Sequence, residues 1–200
     1  MTEFTLDMTM MFAIHDALRR DLARVALMES RSEGWDFFER MLHLHHTAED
    51  DLLWPVARDA VADRPDDLGL FDDMASEHAL LGPLLEAVDA ALTRGESAPH
   101  ARADLDARLR AHLTHEEDAA LPLIDQVLTE EQWMAVGQAS TERVGPDMPR
   151  FLPWLLDGAE EDTSARVLGR IPEPVQQAYR NEWRPAYAKL DGWATKSSVA

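Results

Sequence analysis

The chain has 200 residues with 38 acidic against 19 basic side chains, a formal net charge of -19, and no cysteine. That length suits one domain with an appended segment and buries a sizeable core without staples. The missing cysteine excludes thiolate ligands, iron–sulfur clusters, disulfides and cysteine nucleophiles, and so acidic a surface repels nucleic-acid phosphates. Met1 to Leu6 shows no basic leader before an apolar run. No stretch reaches the ~18–20 apolar residues of a membrane span, so a cytoplasmic location with no membrane partner is expected.

Helical periodicity predicts a first amphipathic helix from about Asp7 to Met28, with Phe12, His15, Leu18, Leu22 and Val25 along its inward stripe. Ser30 and Glu33 stand at capping-box spacing and are expected to open a second helix carrying Trp35, Phe38, Met41, Leu42, His45, Glu49 and Leu52. Pro65, Asp66 and Asp67 mark the next turn. A third helix then carries Met74, His78, Leu81, Leu85 and Val88 and stops near Gly95. Ser97 is expected to cap a fourth, with Leu105, Leu109, His112, Glu116, Ala119 and Leu123. Short connections favour antiparallel neighbours, so the expected fold is all-α, an up-down-up-down four-helix bundle over residues 1–140.

Pro55, Pro83 and Pro122 fall late in or inside these helices, and each is expected to end or kink its helix. Thr129 with Gln132 caps a short further helix. From Gly145 onward, prolines divide the chain into short helical pieces, and Trp154, Tyr179, Trp183 and Tyr187 read as exposed aromatics. Residues 141–200 are therefore predicted to form a helical extension packed on the bundle or on a second subunit, a homodimer being the expected assembly in the latter case.

Two segments superimpose without gaps. His45-His46-Thr47-Ala48-Glu49-Asp50-Asp51, running on to Pro55, matches His112-Leu113-Thr114-His115-Glu116-Glu117-Asp118, running on to Pro122. A weaker match pairs His15, Leu18, Leu22 and Val25 with His78, Leu81, Leu85 and Val88. The bundle thus reads as two copies of a helix hairpin, each supplying one His and then one H-x-x-x-E. Residues four apart lie one turn above each other, so His45 with Glu49, and His112 with Glu116, each present an imidazole beside a carboxylate on an apolar stripe. One buried His or one H-x-x-x-E is commonplace. Four imidazoles and two carboxylates aimed at one core are too costly to bury unpaired, and a pair of metal ions satisfies them all. Ligand softness admits iron, manganese or zinc. The chain has neither the E-x-x-H of ferritin-like bundles nor the H-E-x-x-H of zincins.

From Met10 to Ile124 these residues resemble the hemerythrin family, in the branch called the HHE cation-binding domain. The resemblance implies a four-helix bundle with a carboxylate-bridged centre of two iron ions, oxo- or hydroxo-bridged, that binds or reacts with dioxygen, peroxide or nitric oxide. Manganese or zinc are possible substitutes. The implied metal ligands are His15, His45, Glu49, His78, His112 and Glu116, with Glu49 and Glu116 bridging. The oxygen carriers of the family place a further His one turn before the third-helix ligand, where this chain has Met74. They also use an Asp at longer spacing where this chain has Glu116.

His46 and His115 border the implied site and are expected to support ligands by hydrogen bonds from outside it, beside Met74. His43 and Asp50 are expected to face away, and His100 to be solvated. With His15 and His45 on one iron, His78 and His112 on the other, and both glutamates bridging, each iron has about two places left. That predicts an oxidoreductase that turns over oxygen or peroxide, as an oxidase, oxygenase or catalase-like protein. The alternative is a non-catalytic module for storing or sensing dioxygen, nitric oxide or iron. A third possibility is a metal that only stabilises the fold.

Overall fold

The computed structural model describes residues 4–190 and 192–193. The start of the leader reading and the end of the C-terminal extension lie outside them. All regular structure among the described residues is helical. No helix among them is long and apolar enough to cross a membrane.

Helix α1 (Thr9–Val25) is followed by α2 (Glu33–Ala48), and α2 runs through a π-turn (Glu49–Leu53) into α3 (Trp54–Ala60). Helix α4 (Pro65–Arg94) ends at Gly95, whose φ of 64° gives the left-handed cap that a side chain would strain. Helix α5 (Pro99–His115) likewise passes through a π-turn (Glu116–Ala120) into α6 (Leu121–Val127). Two predicted caps move. Ser32, not Ser30, caps α2 by accepting from the Trp35 amide, and α5 starts after Ala98 on Pro99, with no cap from Ser97. Proline at a first helical position needs no partner for the amide it lacks, so a side-chain cap is dispensable there.

The prolines expected to break the helices do not end them. The amide just before Pro55, that of Trp54, bonds back five residues to the Glu49 carbonyl. The amide before Pro122, that of Leu121, does the same to Glu116. A third π-turn, Tyr179–Trp183, stands just before Pro185 with the same bond from Arg184 to Tyr179. Proline has no N–H and its ring collides with the carbonyl four residues back, and one widened turn absorbs both defects while the rod continues.

The bundle interior is layered. One apolar cluster holds Leu18, Leu22, Trp35, Phe38, Leu42, Leu81, Val88, Leu105 and Leu109. The other holds Leu53, Trp54, Phe71, Met74, Leu121 and Ile124. On α4, His78 falls between Met74 of the second cluster and Leu81 of the first, and on the continuous α5–α6 rod Glu116 falls between Leu113 of the first and Ala120 of the second, so a polar layer divides them.

After α7 (Glu130–Val144), which opens with a full Thr129–Gln132 capping box, the chain turns into α8 (Met148–Leu155), α9 (Glu161–Gly169), α10 (Glu173–Ala178) and α11 (Arg184–Tyr187). These pieces lie on the bundle of their own chain. Phe151, Leu152, Trp154, Leu155, Val167 and Tyr179 join the first cluster. Trp154 and Tyr179, expected to be exposed, are therefore buried, and Trp183 and Tyr187 are half-buried. Trp154 meets Phe37 edge-on and donates from Nε1 to the buried Asp21 carboxylate at 2.6 Å. The chain then returns to α2, where the Gly34 amide bonds to the Gly192 carbonyl. A Cβ on Gly34 would stand 2.6 Å from the Trp193 ring, so only glycine admits this contact.

Trp154→Ala should therefore destabilise the protein by about 3–5 kcal/mol, the usual loss for a large buried aromatic. Urea denaturation followed by circular dichroism measures it. A loss below about 1 kcal/mol would mean the extension rests only loosely on the bundle.

Candidate metal centre

His15 on α1, His45 and His46 on α2, His78 on α4 and His112 on α5 are all buried, together with Glu49 and Glu116 at the starts of the two π-turns. Their ligand atoms form two adjoining groups. One comprises His15, His45, Glu49 and Glu116, the other His46, Glu49, His78 and His112, and Glu49 belongs to both. The six residues singled out in the repeat are thus brought together, and His46 joins them.

The nitrogens face each other in pairs. His15 Nε2 lies 3.1 Å from His45 Nε2, and His78 Nε2 lies 3.1 Å from His112 Nε2. The outer nitrogens are held by carboxylates. His15 Nδ1 donates to Glu117 at 2.8 Å, His78 Nδ1 to Asp50 at 2.9 Å, and His112 Nδ1 to Glu77 at 2.9 Å. A neutral imidazole that donates from Nδ1 leaves a bare lone pair on Nε2. In the His78–His112 pair, two such lone pairs converge on the same space. Two ligands held at right angles about 2.1 Å from one ion stand about 3.0 Å apart, which matches this spacing.

The carboxylates carry the same message. Both oxygens of Glu49, both oxygens of Glu116, and His46 Nε2 are buried without a hydrogen-bond partner. Glu116 Oε2 comes to 3.2 Å of His15 Nε2, and Glu49 Oε1 to 3.2 Å of His45 Nδ1, close contacts that lack hydrogen-bond alignment. Each orphaned buried polar atom costs about 1–3 kcal/mol, so cations sharing these donors fit the residues present.

Without a cation, protons take over part of the work. Burial alone would lower the His15 pKa, but the Glu116 and Glu117 carboxylates outweigh it and raise it to about 9. Burial and then the Glu116 charge push the Glu49 carboxyl well above its usual range. Glu116 moves the opposite way, because His15 and His45 outweigh its own burial. Burial and then His15 hold His45 well below its usual value, and burial and then His78 do the same to His46.

Some expectations need correction. Asp50 does not face away but orients His78. In a π-turn more residues make up each turn, so consecutive side chains are separated by less than the 100° of an α-helix, and Glu49 and Asp50 both reach the cluster. Met74 is wholly buried in the second apolar cluster with Trp54 and Phe71. His46, expected as an outside support, places its unpartnered Nε2 within the second group and stacks on His78 at 4.0 Å. His115 does support from outside: its Nδ1 donates to Glu77 Oε1, and Glu77 Oε2 receives His112.

Glu77, Asp50 and Glu117 were not picked out from the sequence. A signal existed for two of them. In both repeat copies the residue after the glutamate is acidic, and each crosses to the His of the other hairpin: Asp50 to His78, Glu117 to His15. Arg19 fixes Glu117 in turn through a two-pronged pair at 2.6 and 2.8 Å. Glu77 had no counterpart in the repeat to mark it.

The family model for the hemerythrin HHE cation binding domain matches residues 7–124. The chain belongs to the hemerythrin family. Its match ends within α6, so α7 to α11 lie beyond the family's part of this hemerythrin-like chain. Comparison with curated proteins and with solved structures gave no match. Family membership and the buried His/Glu cluster together point to metal binding.

Two outcomes follow from this geometry. Glu49→Ala should weaken both metal positions, whereas Asp50→Ala should lower affinity about 10–100-fold at one, as losses of an orienting carboxylate do. Metal titrations with elemental analysis separate the two, and equal loss in both variants would contradict the shared position of Glu49. Secondly, at neutral pH His15 of the metal-free centre carries a proton, so metal binding should expel that proton. The release should diminish as the pH is raised past about 9 and His15 loses its proton unaided. Calorimetry in buffers of differing ionisation heat gives that count.

Proposed function

We propose that this chain is a di-iron protein that binds dioxygen or peroxide and reacts with it. The observation that carries the reading is the His78–His112 pair, whose Nδ1 atoms are both taken by carboxylates and whose Nε2 lone pairs converge at 3.1 Å. His15, His45 and Glu116 would hold one iron and His46, His78 and His112 the other, with Glu49 reaching both. When bound, an iron pair supplies electrons and open coordination places for oxygen chemistry; manganese or zinc would fit the same donors.

The residues around it have separable tasks. Asp50, Glu77 and Glu117 fix the tautomer and orientation of three imidazoles and raise their basicity. The apolar clusters above and below the layer keep bulk water out. His15, its pKa raised by Glu116 and Glu117, is a group able to give up or retake a proton beside the centre.

A second reading, reversible binding of dioxygen or nitric oxide, is favoured by His46. It gives the second group three imidazoles and one carboxylate against two of each in the first, so the two positions would differ in donor type at four residues apiece. Turnover is preferred because a large apolar cavity meets the first group at His45 and Glu49.

Anaerobic loading with ferrous iron should give two irons per chain, and His45→Ala or His112→Ala should lose at least one. Stopped-flow mixing with oxygen, and separately with peroxide, should then produce an optical change that decays with consumption of the oxidant. Full metal content in both variants would refute the ligand assignment. A colour that lasts for hours and is reversed by vacuum would establish carriage in place of turnover.

A further inference from the structure

We infer that the cavity between the bundle and the C-terminal helices is a binding site for a neutral, largely hydrocarbon organic molecule, held against the metal centre at His45 and Glu49. The proposal rests on the di-iron reading for what the bound molecule meets, and on the cavity itself for what can bind.

The cavity measures about 450 Å³, within the ~300–1,000 Å³ of small-molecule sites. Its inner wall is the bundle: Met10 and Ile14 of α1, Met41 and Leu44 of α2, and then His45 and Glu49. Its outer wall comes from α7 and α8 and from the connection into α10, through residues such as Trp133, Val144, Phe151 and Ile171. All of that outer wall lies beyond residues 7–124, so the extension that the family match leaves unexplained is what closes the cavity.

The chemistry of the lining selects the occupant. The polar side chains facing the cavity away from the centre are already engaged. Ser140 donates to the Val136 carbonyl and Thr141 to the Gly137 carbonyl, each within its own helix, and Arg170 is ion-paired with Asp7. A charged or strongly hydrogen-bonding molecule would lose its water there and find few partners to replace it. At the inner end the situation is the opposite. Glu49 is wholly buried and neither of its oxygens has a hydrogen-bond partner. A bound molecule therefore has one polar feature to meet, the metal centre. Met10, Met11, Met41 and Met148 contribute unbranched, polarizable side chains to the wall, which adapt to occupants of varied outline.

The test uses the neutral dye N-phenylnaphthylamine with the full chain, metal-free and loaded with cobalt(II). The dye should bind with micromolar affinity and brighten as it leaves water. Gly137→Phe and Val144→Trp place rings in the cavity from α7; no atom lies within 4 Å of a Cβ on Gly137, so that change fits without collision. Each should weaken dye binding about tenfold or more while metal content stays at the wild-type level. Met134→Phe, at an exposed position of the same helix, should leave binding unchanged. In the cobalt protein, dye should shift the visible metal bands, because His45 and Glu49 form the cavity wall. Absence of dye binding, or binding that Gly137→Phe and Val144→Trp leave untouched, overturns the proposal. Dye binding without any shift of the cobalt bands overturns contact with the centre. Should the chain take up no metal while dye binding responds to the variants as described, the di-iron reading fails and the apolar site stands.

Discussion

The structure depends on one constraint: a layer of five imidazoles and two carboxylates is buried in the middle of an apolar bundle. Such groups cannot be left there with their lone pairs unmatched, because water is excluded and the surrounding dielectric is low. Two solutions are built in. One is the ring of outer carboxylates, which takes the Nδ1 protons and turns Nε2 inward. The other is the convergence of the remaining donors on two small volumes that share Glu49. Between the layers of leucine, phenylalanine and tryptophan, the site is held as firmly as the core around it.

The π-turns connect backbone chemistry to this layer. Glu49 and Glu116 each begin a widened turn, and each turn ends just before a proline. The same defect that proline forces on a helix lets two consecutive acidic residues serve the site, the first pointing at the centre and the second at a histidine of the other hairpin. Each hairpin is thereby oriented by the other. A repeat that appears to donate ligands in parallel is in fact cross-braced, and Arg19 adds a further brace on Glu117.

The C-terminal helices add a second structural level. They attach through Trp154 to Asp21, through Arg166 to Thr9, and through the close approach of residue 192 to Gly34. Their prolines do not disqualify them as a packed layer, since short helices can tile a bundle surface, as α8 does with Phe151 and Trp154 and α9 with Val167. In covering α1 and α2 they also enclose apolar space next to the metal layer, where the family's own domain would leave a surface.

The sequence by itself determined a good deal. Its duplicated H-x-T-x-E-x-D-x-x-x-P pattern and two isolated histidines named four helices and six of the residues that meet, because side chains four apart on a helix must share a face. Periodicity also located the apolar stripes and the Gly95 stop. What only the tertiary structure decided are the relations across helices. Whether His46 points into the layer depends on how α2 is rotated against α4, and Glu77 reaches His112 and His115 only because α4 and α5 lie side by side. Asp50 was misplaced because helical spacing assumes 100° per residue, and the proline about one turn ahead that widens the turn acts through a steric clash that spacing does not express. Trp154 read as exposed because an aromatic among prolines has no periodic partner in its own segment; its partners, Phe37 and Asp21, lie more than a hundred residues earlier and become neighbours only on folding.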